Sequence, residues 1–257
     1  MLNSEGIIFA ADIDKKENLL GTIRSVSPYI EAIKIGNLVL LEHGLEIIKI
    51  IKDNTDKPLL IDIKFMDIQY IAERIVTKIL SHGGDGIMVS GVVGGDVISA
   101  CKKIMSKKML FVFTQFTHMS GLISDEMADE YIDLAITLEC NGVQVPATFP
   151  KRISNVRKSV GKELIIISCG IGAQGAKIGS AIAAGANYEI IGRSIYNPIA
   201  PSQSPAEAAE SAKNKIRKVL LSRENCALPA STTPESPLNS KSGISHSYWI
   251  ERTVNCY

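Results

Sequence analysis

The chain has 257 residues and a formal net charge of +1, so it lacks the basic excess expected of a nucleic-acid or anionic-membrane partner, and small molecules are the expected ligands. Hydrophobic residues make up 46% and aromatic residues 5%, so the apolar content is mostly Ile, Leu, Val and Ala, as expected of parallel strands covered by helices. Cys101, Cys140, Cys169, Cys226 and Cys256 form no Cys-x-x-Cys pair, which argues against a disulfide framework or zinc site and for a reducing cytoplasm, and no signal peptide or membrane-spanning apolar run is read.

Short runs rich in Ile and Val alternate with segments of helical periodicity from residue 7 to about residue 222. The first predicted strand, 7–13, leads into Asp12-Ile13-Asp14-Lys15-Lys16. No glycine follows before Gly21, so the Gly-rich turn of a dinucleotide-binding open sheet is missing. The second, 30–35, carries Lys34 in Ile33-Lys34-Ile35-Gly36 and precedes a helical spacing read as Leu38-Leu41-Leu45-Ile48. The third, 58–64, belongs to the run Leu59-Leu60-Ile61-Asp62-Ile63-Lys64-Phe65-Met66-Asp67-Ile68. Alternation sends Asp62 and Lys64 to the face of Leu60, and Ile61 and Ile63 to the other. An Asp-x-Lys of this kind is either a structural ion pair or part of a site.

A helical spacing through Ala72, Ile75 and Ile79 leads to the fourth strand, 84–90, and the fifth, 109–115, runs into the polar loop Thr114-Gln115-Phe116-Thr117-His118-Met119-Ser120-Gly121. The sixth is 141–146. The seventh, 163–168, opens into Ser168-Cys169-Gly170-Ile171-Gly172-Ala173-Gln174-Gly175, and the eighth, 187–192, into Ile191-Gly192-Arg193-Ser194. A last helix is read from about Ser204 to Ser222; residues 223–257, rich in Ser, Pro and Asn and holding Trp249, read as a disordered tail outside the barrel domain of residues 1–222.

Eight βα units predict a closed (β/α)8 TIM barrel, whose chemistry lies at the carboxyl ends of the strands. Asp12, Lys34, Asp62, Lys64 and Asp67 all fall at or just past the ends of the first three strands. Three acids and two bases in one quadrant can keep one another ionised despite desolvation. The glycine loops after strands seven and eight occupy the usual phosphate cradle of this fold, where backbone N–H groups and a helix N-terminus meet an anion and Arg193 adds a bidentate donor. His118, Asn37, Gln144 and Ser90 also lie near strand ends and take no assigned role.

Together these motifs resemble the orotidine 5′-phosphate decarboxylases, especially the archaeal type, over about residues 5–221. The resemblance rests on Ala11-Asp12, Lys34-Ile35-Gly36, Asp62-x-Lys64-x-x-Asp67-Ile68, Gly172-Ala173-Gln174-Gly175 and Gly192-Arg193-Ser194-Ile195-Tyr196. It implies conversion of orotidine 5′-phosphate to uridine 5′-phosphate, the last step of de novo pyrimidine nucleotide synthesis, with no metal or organic cofactor. Lys64 would deliver the proton to C6, within an array of Lys34, Asp62, Lys64 and Asp67. Asp12, Ile68, Thr117, Gln174, Gly192 and Arg193 would bind substrate. Asp67 and Ile68 would reach the site of the neighbouring subunit, implying a homodimer. The chain departs from the family pattern at Cys169, where proline is usual, and at Thr117, where serine is. The rival enzymes are magnesium-dependent sugar-phosphate lyases of the 3-keto-gulonate-phosphate decarboxylase and hexulose-phosphate synthase type, which carry an acidic metal ligand where this chain has Lys34. A non-catalytic phosphate-binding barrel is the other alternative.

Overall fold

The computed structural model describes residue 2 and residues 5–200 and 202–227. Eight parallel strands close into one barrel in sequence order. They are β1 (Gly6–Ala10), β2 (Ala32–Gly36), β3 (Leu59–Phe65), β4 (Gly86–Ser90), β5 (Met109–Phe113), β6 (Gly142–Gln144), β7 (Ile165–Ser168) and β8 (Tyr188–Ile191). The helices around them are α1 (Lys16–Val26), α2 (Asn37–His43), α3 (Glu46–Lys52), α4 (Gln69–Ser81), α5 (Gly94–Met105), α6 (Asp125–Thr137), α7 (Pro150–Val160), α8 (Ser180–Ala183), α9 (Arg193–Tyr196) and α10 (Pro205–Ala227). None of these helices is long and apolar enough to cross a membrane.

The period of two along each strand divides the apolar residues into two layers. Ile8, Ala32, Leu60, Met88, Phe111, Ile167 and Tyr188 fill the barrel interior. Ile7, Ile33, Ile61, Val143 and Ile166 face outward against Leu19, Ile48, Val76, Ile98 and Ile153 of the helices. Full burial of side chains of this size stabilises by about 1.5–3 kcal/mol each, which makes these layers the main source of stability. Gly142 permits the close approach of its neighbours: a Cβ there would collide with the Ile165 carbonyl and stand 2.8 Å from the Phe111 ring.

Local signals set the helix ends. Ser204 and Glu207 form a reciprocal cap at the start of α10, with the Glu207 carboxylate accepting from the Ser204 N–H at 2.8 Å and the Ser204 hydroxyl accepting from the Glu207 N–H at 3.3 Å. The helix continues to Ala227, past the expected boundary at residue 222. The remainder of the expected tail, Trp249 included, lies outside the described residues.

One helical reading is corrected. The spacing Leu38-Leu41-Leu45-Ile48 does not form one buried face, because Gly44 at φ 68° ends α2 and a second helix starts afterwards. Leu38 and Leu41 are exposed, and the buried residues are Val39, Ile47, Ile48 and Ile51.

Candidate active site

Neighbouring strands place the charged residues by register. Ala10 pairs with Lys34, Lys34 with Leu60 and Gly36 with Asp62, so Asp12, Lys34 and Asp62 gather at the carboxyl ends of three successive strands. Lys34 Nζ lies 3.2 Å from Asp62 Oδ2 and 3.7 Å from Asp12 Oδ1. Lys64 Nζ donates to Asp62 Oδ1 at 2.5 Å. Asp62 is thus held between two ammonium groups, although it is only 8% exposed.

Magnitudes explain why the charges come as a set. At an effective dielectric near 20, an ion pair about 3 Å apart gains roughly 5 kcal/mol, comparable with the several kcal/mol that burying each ion costs. One pair therefore breaks about even, and the second lysine makes the buried carboxylate favourable. Burial pushes the Asp62 carboxyl up, but Lys34 and Lys64, by charge and by hydrogen bond, more than offset it and hold it below its ordinary 3.8. Burial likewise pushes Lys34 down, and Asp62 followed by Asp12 hold it above its ordinary 10.5.

The pH consequence follows from these directions. A depressed carboxyl contributes stability that is complete above its unfolded pKa and lost as pH falls through the folded one. A raised lysine contributes stability complete below its unfolded pKa and lost as pH rises through the folded one. The melting temperature of the wild type minus that of Asp62→Asn is therefore expected to stay flat from about pH 5 to 9 and to shrink below about pH 4. Thermal unfolding across that range checks it.

β3 departs from ideal strand geometry where Lys64 sits. Its register with β4 shifts between Ile61 and Phe65, and Lys64 has φ 41°, a left-handed conformation that side chains other than glycine seldom adopt. This bulge re-aims the lysine: Nζ reaches Asp62 and also lies over the Phe113 ring, 5.4 Å from its centroid.

Asp12, Lys34, Asp62 and Lys64 line one cavity of about 320 Å³, together with Thr117, Gln174, Gly192 and Arg193. The charged quadrant and the glycine loops thus face each other across a single space. Thr148 holds the loop that follows β5, its hydroxyl donating to the Thr117 carbonyl at 3.0 Å. Glu189, fully buried on the outer face of β8, ties down the β7–α8 loop by accepting from the Gly179 N–H at 2.8 Å and the Ala181 N–H at 2.9 Å. Gly172, at φ 71°, admits the Ser194 hydroxyl into space that a side chain would fill.

Asp67 and Ile68 are not among the residues lining this cavity. Both are exposed, and Asp67 Oδ1 accepts from the Ile68 N–H at 2.8 Å. Met66, Ile68 and Tyr70 form an exposed apolar stretch beside them. His118 faces a different, larger cavity of about 720 Å³. Phe113, Cys169 and Tyr196 line the charged cavity and were given no role from sequence; alternation along β5 could have found Phe113, whose neighbour Phe111 is interior. Among the described residues no group of three or more His, Cys, Asp or Glu is arranged to hold a metal, and Asp12 and Asp62 share the Lys34 ammonium.

Comparison with known proteins places this geometry among related chains. The model of the orotidine 5′-phosphate decarboxylase / HUMPS family matches residues 5–212. Orotidine 5′-phosphate decarboxylase of Methanococcoides burtonii is 36% identical over 207 residues, which cover 79% of this chain and 94% of that one. The enzyme of the same name from Pyrococcus horikoshii is 34% identical over 83% of this chain and 100% of its own. Among solved structures, orotidine 5′-monophosphate decarboxylase from Methanocaldococcus jannaschii, complexed with inhibitor BMP, superposes with a TM-score of 0.76 at 31% identity, covering 83% of this chain and 99% of that one.

Proposed function

The chain belongs to the orotidine 5′-phosphate decarboxylase / HUMPS family, and on that premise we propose that it converts orotidine 5′-phosphate to uridine 5′-phosphate and carbon dioxide without a metal or organic cofactor. The observation that carries this reading is the array Asp12–Lys34–Asp62–Lys64, set in the same cavity as Gln174, Gly192 and Arg193. The glycine loops and Arg193 take the phosphate, and the ribose and base extend toward the charges.

Loss of carbon dioxide leaves an electron pair in the plane of the pyrimidine ring, where the ring π system does not accept it. Stabilisation must then come from fixed charge at the reacting atom. Lys64 supplies it: its ammonium faces C6, attracts the developing carbanion and delivers the proton there. Asp62 lies beside the departing carboxylate, and the repulsion between them is relieved as neutral carbon dioxide forms. Lys34 and Asp12 bind the ribose hydroxyls and keep Asp62 and Lys64 in register, while Thr117 contacts the base. Binding at the phosphate, far from C6, provides free energy that can hold the reacting end in place.

Asp67 and Ile68 act across a homodimer interface. Their exposure, beside Met66 and Tyr70, supports a surface that a second copy covers and through which Asp67 completes the partner's array. The magnesium-dependent lyases of the family are the alternative. A divalent cation between Asp12 and Asp62 would meet the Lys34 ammonium at ion-pair distance from both, so the donor set favours the metal-free reaction.

The test is the disappearance of orotate absorbance when purified protein is mixed with orotidine 5′-phosphate, with and without a chelator. Turnover that a chelator leaves unchanged is the expected result. Absence of turnover by the folded dimer, or turnover that a chelator abolishes, overturns the proposal.

A further inference from the structure

The mechanism above leaves two side chains of the barrel interior without a role. Gln144, on β6, is fully buried; its Nε2 donates to Cys169 Sγ at 3.1 Å, while its Oε1 has no hydrogen-bond partner. Cys169, just past β7, lines the cavity with Asp62, Lys64 and Phe113. The neighbours of Gln144 in register, Phe113 on β5 and Ile167 on β7, are apolar groups that need no partner. An unpaired amide atom in such a place lowers stability. Exchanging the nitrogen and oxygen of the amide does not remove the deficit, since it leaves the Nε2 donors unpaired instead. A leucine would fill the space without this penalty but would release the thiol.

The state of the thiol gives the placement a use. Burial pushes Cys169 up to about 11, with Asp62 acting in the same direction and Lys64 and Lys34 against it, so the group is a neutral S–H at physiological pH. A neutral thiol is a hydrogen-bond donor as well as an acceptor. With Sγ accepting from Gln144, the S–H is turned away from the amide. Cys169 lines the cavity, so its S–H can meet an acceptor there.

We propose that Gln144 positions the Cys169 thiol, and that Cys169 recognises the polar edge of the base of the bound nucleotide, so that the pair selects heterocycles carrying carbonyl and N–H groups. This rests on the nucleotide reading of the cavity. Gln144 is a positioning residue that acts through Cys169.

The experiment compares Gln144→Leu, Cys169→Ala, Cys169→Ser and the double variant Gln144→Leu/Cys169→Ala by thermal unfolding, by titration with uridine 5′-phosphate and with ribose 5-phosphate, and by steady-state turnover of orotidine 5′-phosphate. Gln144→Leu is expected to weaken uridine 5′-phosphate binding and raise KM by about tenfold, the scale of one lost hydrogen bond, with kcat little changed. Its melting temperature should equal or exceed that of the wild type, and its affinity for ribose 5-phosphate, which has no base, should not change. Cys169→Ala should reproduce the KM effect, Cys169→Ser should restore it, and the double variant should be no worse than Cys169→Ala. A Gln144→Leu protein that melts lower while binding uridine 5′-phosphate as the wild type does overturns the proposal, as do effects of the two single variants that add. Wild-type protein that neither binds uridine 5′-phosphate nor turns over substrate removes the nucleotide reading itself; binding by the wild type with unaltered variants removes only this inference.

Discussion

Replacing Lys64 with alanine is expected to lower turnover of orotidine 5′-phosphate by about 10⁴-fold or more while leaving uridine 5′-phosphate binding within a few-fold of the wild type. The split follows from geometry. Lys64 is about one-third exposed and pairs with Asp62, and it is not one of the groups proposed to take the phosphate, so the proposed phosphate contacts should survive its loss. In the proposed reaction its removal takes away both the cation at C6 and the proton source. Asp62 retains Lys34 at 3.2 Å, so the remaining acid still has a partner and the fold is expected to persist. Single-turnover absorbance measurements and calorimetric titration with the product check the two halves of this expectation. Turnover within about tenfold of the wild type would place the proton donor elsewhere.

Asp62→Ala acts on stability and catalysis together. It leaves the Lys34 and Lys64 ammonium groups without the carboxylate that both of them pair with, and removing one member of a buried ionic set costs about 3–5 kcal/mol. In a protein of this size that lowers the melting temperature by on the order of 10 °C. Asp12, 3.7 Å from Lys34, limits the loss. Turnover should fall by about 10³-fold, as expected when a group that orients and balances the proton donor is removed. Binding should move in the other direction for one class of ligand. With Asp62 gone, a substrate carboxylate meets cations alone, so affinity for orotidine 5′-phosphate should rise relative to uridine 5′-phosphate. Equilibrium titration of both nucleotides measures the ratio; a ratio that does not change would remove Asp62 from the neighbourhood of the substrate carboxylate.

The barrel was legible in the sequence because eight Ile- and Val-rich runs recur with helical spacers, and burial on both faces of a parallel strand demands that composition. Lys34 and Asp62 were legible for the opposite reason: charge in a run that otherwise reads as buried has few explanations. The bulge at Lys64 was not, since alternation alone already placed Lys64 beside Asp62 and gave no sign of a left-handed residue. The helix read through Leu38 and Leu41 failed because Gly44 interrupts a pattern that remains periodic on either side of the break. Gln144 escaped because a single uncharged polar residue at a strand end carries no signal until its burial and its partners are known. Asp67 was flagged by its charge just past β3, but Ile68 and the reach of both into a neighbouring subunit could be flagged only by resemblance, as that proposed role belongs to a second copy of the chain.

The hold of Glu189 on the β7–α8 loop has a consequence for the anion at the other end of the ligand. The N–H groups that open α8 point at a carboxylate from within the chain, so the positive end of that helix is already neutralised. A bound phosphate therefore competes for none of them. In the proposed complex its recognition falls instead to the guanidinium of Arg193, the amide of Gln174 and the backbone around Gly192, so the anion meets one exposed cation and the loops at the cavity rather than the start of α8.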